Sequence, residues 1–339
     1  MSLPARTAAV LPGDPAGTDT LSDLLRAVRL TGAVFFDFEA AAPWAEMQPP
    51  GPTIAHGVLP GVQHLISYHA VTAGSCFGGL ADGERIQLEA GDVIVFPHGD
   101  SHVMSSAPGL PARPDPGKYR HPGHRLPVTV RIGDNAGART SLVCGFLGCD
   151  VRPFNPLLSA LPRVLHVRDH PGPLGGWLGR FVQIALAVSR ERHSGGESVL
   201  ARMSELLFVE AVRRHLESLP ADRTGWLAGL RDPQVGRALA LLHARPAAGW
   251  TLPALAREVA LSRSVLAERF TKLVGQPPMQ YLANWRMQVA ANSLARGDKI
   301  GSVAFEVGYD SEAAFSRAFK KLVGVAPSAW RGERHPSRA

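Results

Sequence analysis

The nine residues FTKLVGQPP (270–278) return as FKKLVGVAP (319–327), 49 residues further along the chain. Self-similarity at a fixed spacing marks one structural unit used twice. The neighbouring residues keep step: Ser262 matches Ser311, Leu266 matches Phe315, Phe270 matches Phe319 and Gly275 matches Gly324. Upstream, Leu255, Ala256, Glu258 and Val259 match Val303, Ala304, Glu306 and Val307 with an offset one residue shorter, so the two turns differ by one residue.

Each copy reads as helix, tight turn, helix. Thr251 is placed to cap LPALAREVA, with Pro253 near the start, and Ser262 to cap SRSVLAERFTKLV, which stops at Gly275. PQVGRALALLHAR (233–245) is a helix ahead of the first copy, ending at Pro246, and MQYLANWRMQVAANSLARG (279–297) is a long helix joining the copies. In the second helix of each copy, Leu266, Phe270 and Leu273, and Phe315, Phe319 and Leu322, recur at helical spacing and form the expected core face. Arg263, Ser264, Ala267, Glu268 and Thr271, and Glu312, Ala313, Ser316, Arg317 and Lys320, are left facing outward.

Charge follows the same division. The whole chain carries a formal net charge of +7. Residues 232–339 hold 15 Lys/Arg against 8 Asp/Glu, while residues 1–231 hold 21 of each sign. A surplus confined to the repeated region is the electrostatic footprint of a module that meets a polyanion. A solvated basic face is the plain alternative.

The helix-turn-helix pair, its joining helix and the string VAFEVGYDSEAAFSRAFKKLVGVAPSAWR together resemble the DNA-binding domain of the AraC/XylS family of bacterial transcription regulators, over residues 232–331. The resemblance implies double-stranded promoter DNA as partner, RNA polymerase as a second one for an activator, and one reading helix per unit in the major groove. Arg317 lies at a base-contacting position of the family, and a guanidinium bonds guanine O6 and N7 together. Ser264 and Ala267 also lie at family base-contact positions but are small, so they reach only near edges and methyl groups. Glu268 suits cytosine N4 or simply water; Ala313 and Ser316 complete the reading set of the second helix. Arg263, Lys272, Lys320 and Lys321 suit phosphates, which position without specifying. The joining helix, about 17 residues or roughly 26 Å, holds the units at about the 34 Å recurrence of the major groove on one face.

Residues 34–151 read differently. AVFFDF, HLISYHAV, RIQLEAGDVIVF, VTVRI and SLVCGFLG are short apolar runs broken by Gly, Pro and Asp, the pattern of a β-barrel or sandwich. Residues 105–127, rich in Pro and Gly, read as a long surface loop. GDVIVFPHGDSHVM resembles the second cupin motif through Gly91, Pro97, Gly99 and His102, and the stretch from about 20 to 165 resembles the cupin-type sensor domain common among these regulators. Enzymatic cupins carry a His-x-His pair and a Glu in the first motif; this chain offers His64 and His69 instead. Their odd separation puts them on opposite faces of an unbroken strand. His69 and His102 with Cys144 and Cys76 are a candidate zinc or iron site, imidazole and thiolate suiting both ions. A polar-lined pocket for a small-molecule effector, or satisfied core histidines, is the alternative.

The expected architecture is multidomain α+β: a cupin-like barrel over 20–165, a helical linker or dimerisation region over 166–231 built on helices at 177–192 and 198–219, and an all-α domain with two helix-turn-helix units over 232–331. Three cysteines without framework spacing, no apolar run of membrane-spanning length and no signal-peptide core fit a cytoplasmic chain. No nucleophile context suggests catalysis. The expected function is a transcription regulator of AraC/XylS type, a homodimer responding to a small molecule. A metal-dependent cupin enzyme with a helical appendage, and an effector-independent DNA-binding protein, are the alternatives.

Overall fold

The computed structural model describes residues 19–28, 30, 35–119, 128–133, 137–150, 152–168, 196–220 and 224–334, with single helical positions at 180, 184 and 187. The chain divides into two compact units, Val28–Leu219 and Pro220 onward, the residues before Val28 grouping with the second. The first element is helix α1 (Thr20–Val28).

The first unit is built on ten strands: β1 (Phe35–Ala41), β2 (Ala45–Gln48), β3 (His64–Ala73), β4 (Ser75–Leu80), β5 (Ile86–Glu89), β6 (Val93–Phe96), β7 (His102–Ser105), β8 (Val128–Ile132), β9 (Arg139–Cys149) and β10 (Leu165–Val167). They form a six-stranded sheet ordered β10-β6-β3-β9-β1-β8 and a four-stranded sheet ordered β2-β7-β4-β5. Every pairing is antiparallel except β1 with β8. Alternation sends Phe38, Val71, Ile94, Phe96 and Leu142 of the larger sheet against Cys76, Leu88 and Met104 of the smaller one, with Trp44 among them. A second apolar cluster, Phe36, Leu65 and Phe146, is closed by Ile54 and Val58 of α2 (Gly51–Val58).

The cupin-motif glycines take the conformation expected of them: Gly91 and Gly99 have φ of 99° and 67°. A Cβ on Gly99 would lie 2.8 Å from the Leu65 carbonyl oxygen. The segment expected as a plain surface loop is partly structured. Residues Pro116–Tyr119 form a 3₁₀ turn, and the Tyr119 ring packs edge-on against Phe36 and Phe146 at 6.1 and 5.9 Å. One aromatic ring therefore pins down a Pro/Gly-rich stretch. After the short α3 (Pro156–Ala160), helix α4 (Gly196–Ser218) lies on the outer face of the larger sheet, where the Tyr68 and Ser204 hydroxyls are 2.6 Å apart. The helix expected over 177–192 falls largely outside the described residues.

The second unit contains α5 (Trp226–Arg231), α6 (Pro233–Ala244), α7 (Leu252–Glu258), α8 (Arg263–Val274), α9 (Pro278–Ala295), α10 (Ile300–Glu306), α11 (Glu312–Val323) and α12 (Pro327–Arg334). Ser262 accepts from the Val265 amide and Ser311 from the Ala314 amide, and Gly275 and Gly324 end α8 and α11 at φ 83° and 93°. The two turns also correspond: the Leu261 amide donates to the Ala256 carbonyl as Tyr309 donates to Ala304. The left-handed step is Ala260 (φ 55°) in the first and Gly308 (φ 81°) in the second. Asp310 is the added residue between this step and the following cap.

Each helix-turn-helix closes its own core. Leu266, Phe270, Leu255 and Val259 are fully buried in the first, Phe315, Phe319, Val303 and Val307 in the second. Leu322, expected in the core, is instead 36% exposed; Val323 packs inward in its place, because α12 covers that side and its Trp330 meets Phe319 edge-on at 6.1 Å. Leu273 is half-buried. A further short helix, α5, follows the two expected over 166–231, and its buried Trp226 donates through Nε1 to the Tyr281 hydroxyl at 2.9 Å.

Candidate nucleic-acid interface and sensor site

The cap at Ser262 and the stop at Gly275 fix which turn of α8 faces outward. Arg263, Ser264 and Glu268 are exposed and Ala267 is half-buried; on α11, Ala313 and Arg317 are exposed and Ser316 is half-buried. Ser264, Glu268, Ala313 and Arg317 thus lie away from the buried phenylalanines, while Ala267 and Ser316 flank the buried face. Arg263, Lys272, Arg317, Lys320 and Lys321 are exposed, and their side chains make no hydrogen bond or ion pair among the described residues. By contrast Arg269 is committed to the fold: its Nη2 and Nε lie 2.6 and 2.9 Å from Asp232 Oδ2, while Asp232 Oδ1 caps α6 through the Gln234 and Val235 amides.

One surface residue escaped the sequence argument. Val265 is 45% exposed next to Ser264, presenting an apolar contact of the kind that suits a thymine methyl. The core stripe of Leu266 and Phe270 was the available signal, since the residue before a buried position falls about 100° away around the helix.

In the first unit the structure joins two of the residues expected to form a site inside the barrel, His69 and His102. His69 Nε2 and His102 Nε2 are 2.7 Å apart, and His102 Nδ1 is 2.9 Å from the Asp100 carbonyl oxygen. A carbonyl only accepts, so His102 carries its proton on Nδ1 and its Nε2 accepts from His69 Nε2–H. That leaves His69 Nδ1 as a bare acceptor, buried and with no partner among the described residues. Phe96 stacks on His102 at 3.7 Å. Burial lowers both imidazoles, His102 to about 4 and His69 well below the ordinary value, His69 further through the neighbouring His102. The dyad is therefore neutral near pH 7.

His64 does not join it. Its Nε2 lies 2.6 Å from the Pro97 carbonyl oxygen, on the other face of β3, because the bulge in that strand falls at Val71/Ala73 rather than between the two histidines. Cys144 faces His69 across the β3–β9 register; it is half-buried, and burial raises its thiol. Two nitrogens bound to one zinc at about 2.0–2.1 Å would lie roughly 3.3 Å apart in tetrahedral geometry. The observed 2.7 Å is a direct hydrogen bond, and no group of three His, Cys, Asp or Glu side chains able to hold a metal occurs among the described residues. The residues present thus fit a hydrogen-bonding dyad rather than a zinc or iron centre. Nearby polar features are the Trp44 Nε1–H, buried without an acceptor, and Gln48 Nε2, which donates to Ser67 Oγ at 2.6 Å.

Among the described residues no helix is long and apolar enough to cross a membrane. A family model described as cupin matches residues 19–217, and one described as helix-turn-helix domain matches residues 255–333. A putative AraC-like transcription regulator of Streptomyces lividans is 34% identical over 285 residues, covering 80% of this chain and 88% of that one. A second, from Streptomyces antibioticus, is 32% identical over 329 residues and covers 94% and 99%. The HTH-type transcriptional regulator AlkR of Acinetobacter baylyi is 28% identical over 317 residues, covering 92% and 99%.

Proposed function

Because the chain belongs to the AraC family of DNA-binding transcription regulators, we propose that α8 and α11 read two successive major grooves of one asymmetric promoter site. The observation that carries this reading is the pair of equivalently capped helices whose outward cations, Arg317 above all, have no side-chain partner among the described residues. Arg317 reads a guanine; Ser264, Val265, Ala267, Glu268, Ala313 and Ser316 supply the remaining base-edge contacts; Arg263, Lys272, Lys320 and Lys321 hold phosphates. Selection of bound sequences from random duplex DNA by the purified full chain tests this. The expected product is a site of about two helical turns with two unlike recognition boxes. Enrichment of no sequence above background would sink it.

The first unit is the sensor in this reading. Its buried, neutral histidine dyad has an acceptor to spare at His69 Nδ1 among the described residues, and it packs on Phe96 at the edge of the apolar cluster that also holds Phe38 and Trp44. Such a site suits an uncharged, mostly apolar effector with a hydroxyl to donate, since a carboxylate would meet no cation there. A ligand that binds only the folded state raises its melting temperature, so thermal shift of the full chain against neutral alcohols and phenols, with matched carboxylates beside them, is the test. Shifts with the carboxylates alone would refute the effector class. In this reading the regulator acts in the cytoplasm as a homodimer, with RNA polymerase as a further partner if it activates, and catalyses no reaction.

A further inference from the structure

The two helix-turn-helix units meet at a junction that nothing in the repeat itself requires. Arg286, midway along α9, donates from Nε to the Pro246 carbonyl at 2.7 Å and from Nη2 to the Ala248 carbonyl at 2.9 Å. Both acceptors belong to the loop between α6 and α7, which leads into the first helix-turn-helix. The same guanidinium lies over the ring of Tyr309, 5.8 Å from its centroid, in the turn of the second unit. Tyr309 in turn packs edge-on against Phe315 of α11, at 5.7 Å.

The loop gripped by Arg286 is itself fixed. Trp250 Nε1 donates to the Arg245 carbonyl at 3.0 Å, and the Arg245 guanidinium lies over the Trp250 ring. The Ala247 backbone presses on Gly308: a Cβ there would sit 2.5 Å from the Ala247 carbonyl oxygen. A planar fork bonding two carbonyls while lying over an aromatic ring is a geometry that lysine does not reproduce. The loop before the first helix-turn-helix, the joining helix and the turn of the second helix-turn-helix are thus locked at one point, and α11 is held through Tyr309.

We infer that Arg286 is a specificity-determining positioning residue, which sets the allowed spacing between the two recognition boxes while touching no base. An added base pair moves the second groove by about 3.4 Å and rotates it by about 35°. A junction locked in this way rejects that change, and a loosened one follows it. The inference rests on the two-helix reading above.

The test uses the selected site and two versions of it, with the segment between boxes one base pair shorter and one longer. The wild-type full chain is expected to prefer the native spacing by roughly tenfold or more, the scale of one unfavourable base-pair change. Arg286→Ala and Arg286→Lys are both expected to bring the three affinities within about threefold, while preferences inside each box stay as in the wild type. Equal weakening on all three DNAs by both Arg286 variants, with the spacing order intact, overturns the inference and leaves Arg286 a stability residue. Wild-type protein indifferent to spacing overturns it too, whereas wild-type protein that selects no DNA at all refutes the DNA-reading model itself.

Discussion

Arg317 and Arg269 show how far a residue's meaning depends on its partners. Both are arginines on a reading helix, yet Arg269 is bound to Asp232 and the Arg317 side chain to nothing among the described residues. Arg317→Ala is expected to cost about 1–3 kcal/mol of binding and to relax preference at one base pair. Measured on the selected site and its single-base variants, an unchanged preference removes Arg317 from the reading set. The buried histidines make a prediction of the other kind. His102 is held down at about 4 and His243, stacked on Trp285, at about 3, both by burial. The unfolded chain, with histidines near 6.5, takes up protons first. Their contribution is therefore complete above about pH 6.5 and is lost as the pH falls toward the folded values, on the order of 3 kcal/mol each. Urea midpoints between about pH 7 and pH 4 report this slope, and His243→Phe, which keeps a ring against Trp285, is expected to flatten it in the second unit.

At the scale of elements, the reading helices were legible because their signals are local. A serine cap and a glycine stop act within one turn of their own position, so Ser262, Gly275, Ser311 and Gly324 announced α8 and α11. Ser262→Ala and Ser311→Ala are each expected to lower stability of the second unit by about 1 kcal/mol, read from its thermal or urea transition; a silent substitution at either would mean that the cap bond is not made in solution. Elements held by distant partners were not legible. Helix α5 depends on Trp226 reaching Tyr281, 55 residues away, and the turn at Pro116–Tyr119 on one ring meeting Phe36 and Phe146. In the barrel, strand parity correctly separated His64 from His69. His69 and His102 were expected in one site, but their direct hydrogen bond, between strands of different sheets, is set by sheet topology and had no local sign.

For the whole molecule, the division of labour was visible in charge and in pattern: a balanced, strand-rich first part and a basic, duplicated second part. Replacing Arg263, Lys272, Lys320 and Lys321 together by Gln is expected to reduce the slope of log K against log salt by up to about 3.6, roughly 0.9 for each phosphate no longer neutralised. Base preference should persist; a full-strength slope in that variant would assign the phosphates to other residues. The two turns extend the lesson to tolerance of change. Ala260 makes its left-handed step with a side chain, so that turn does not demand glycine. Gly308 makes the same step with Ala247 pressed against it, and there the demand comes from a neighbour. Similar backbone geometry thus gives the two copies different latitude to mutate. The first turn is open to small residues that bear a positive φ; the second is closed to every side chain, because another part of the molecule already fills the space.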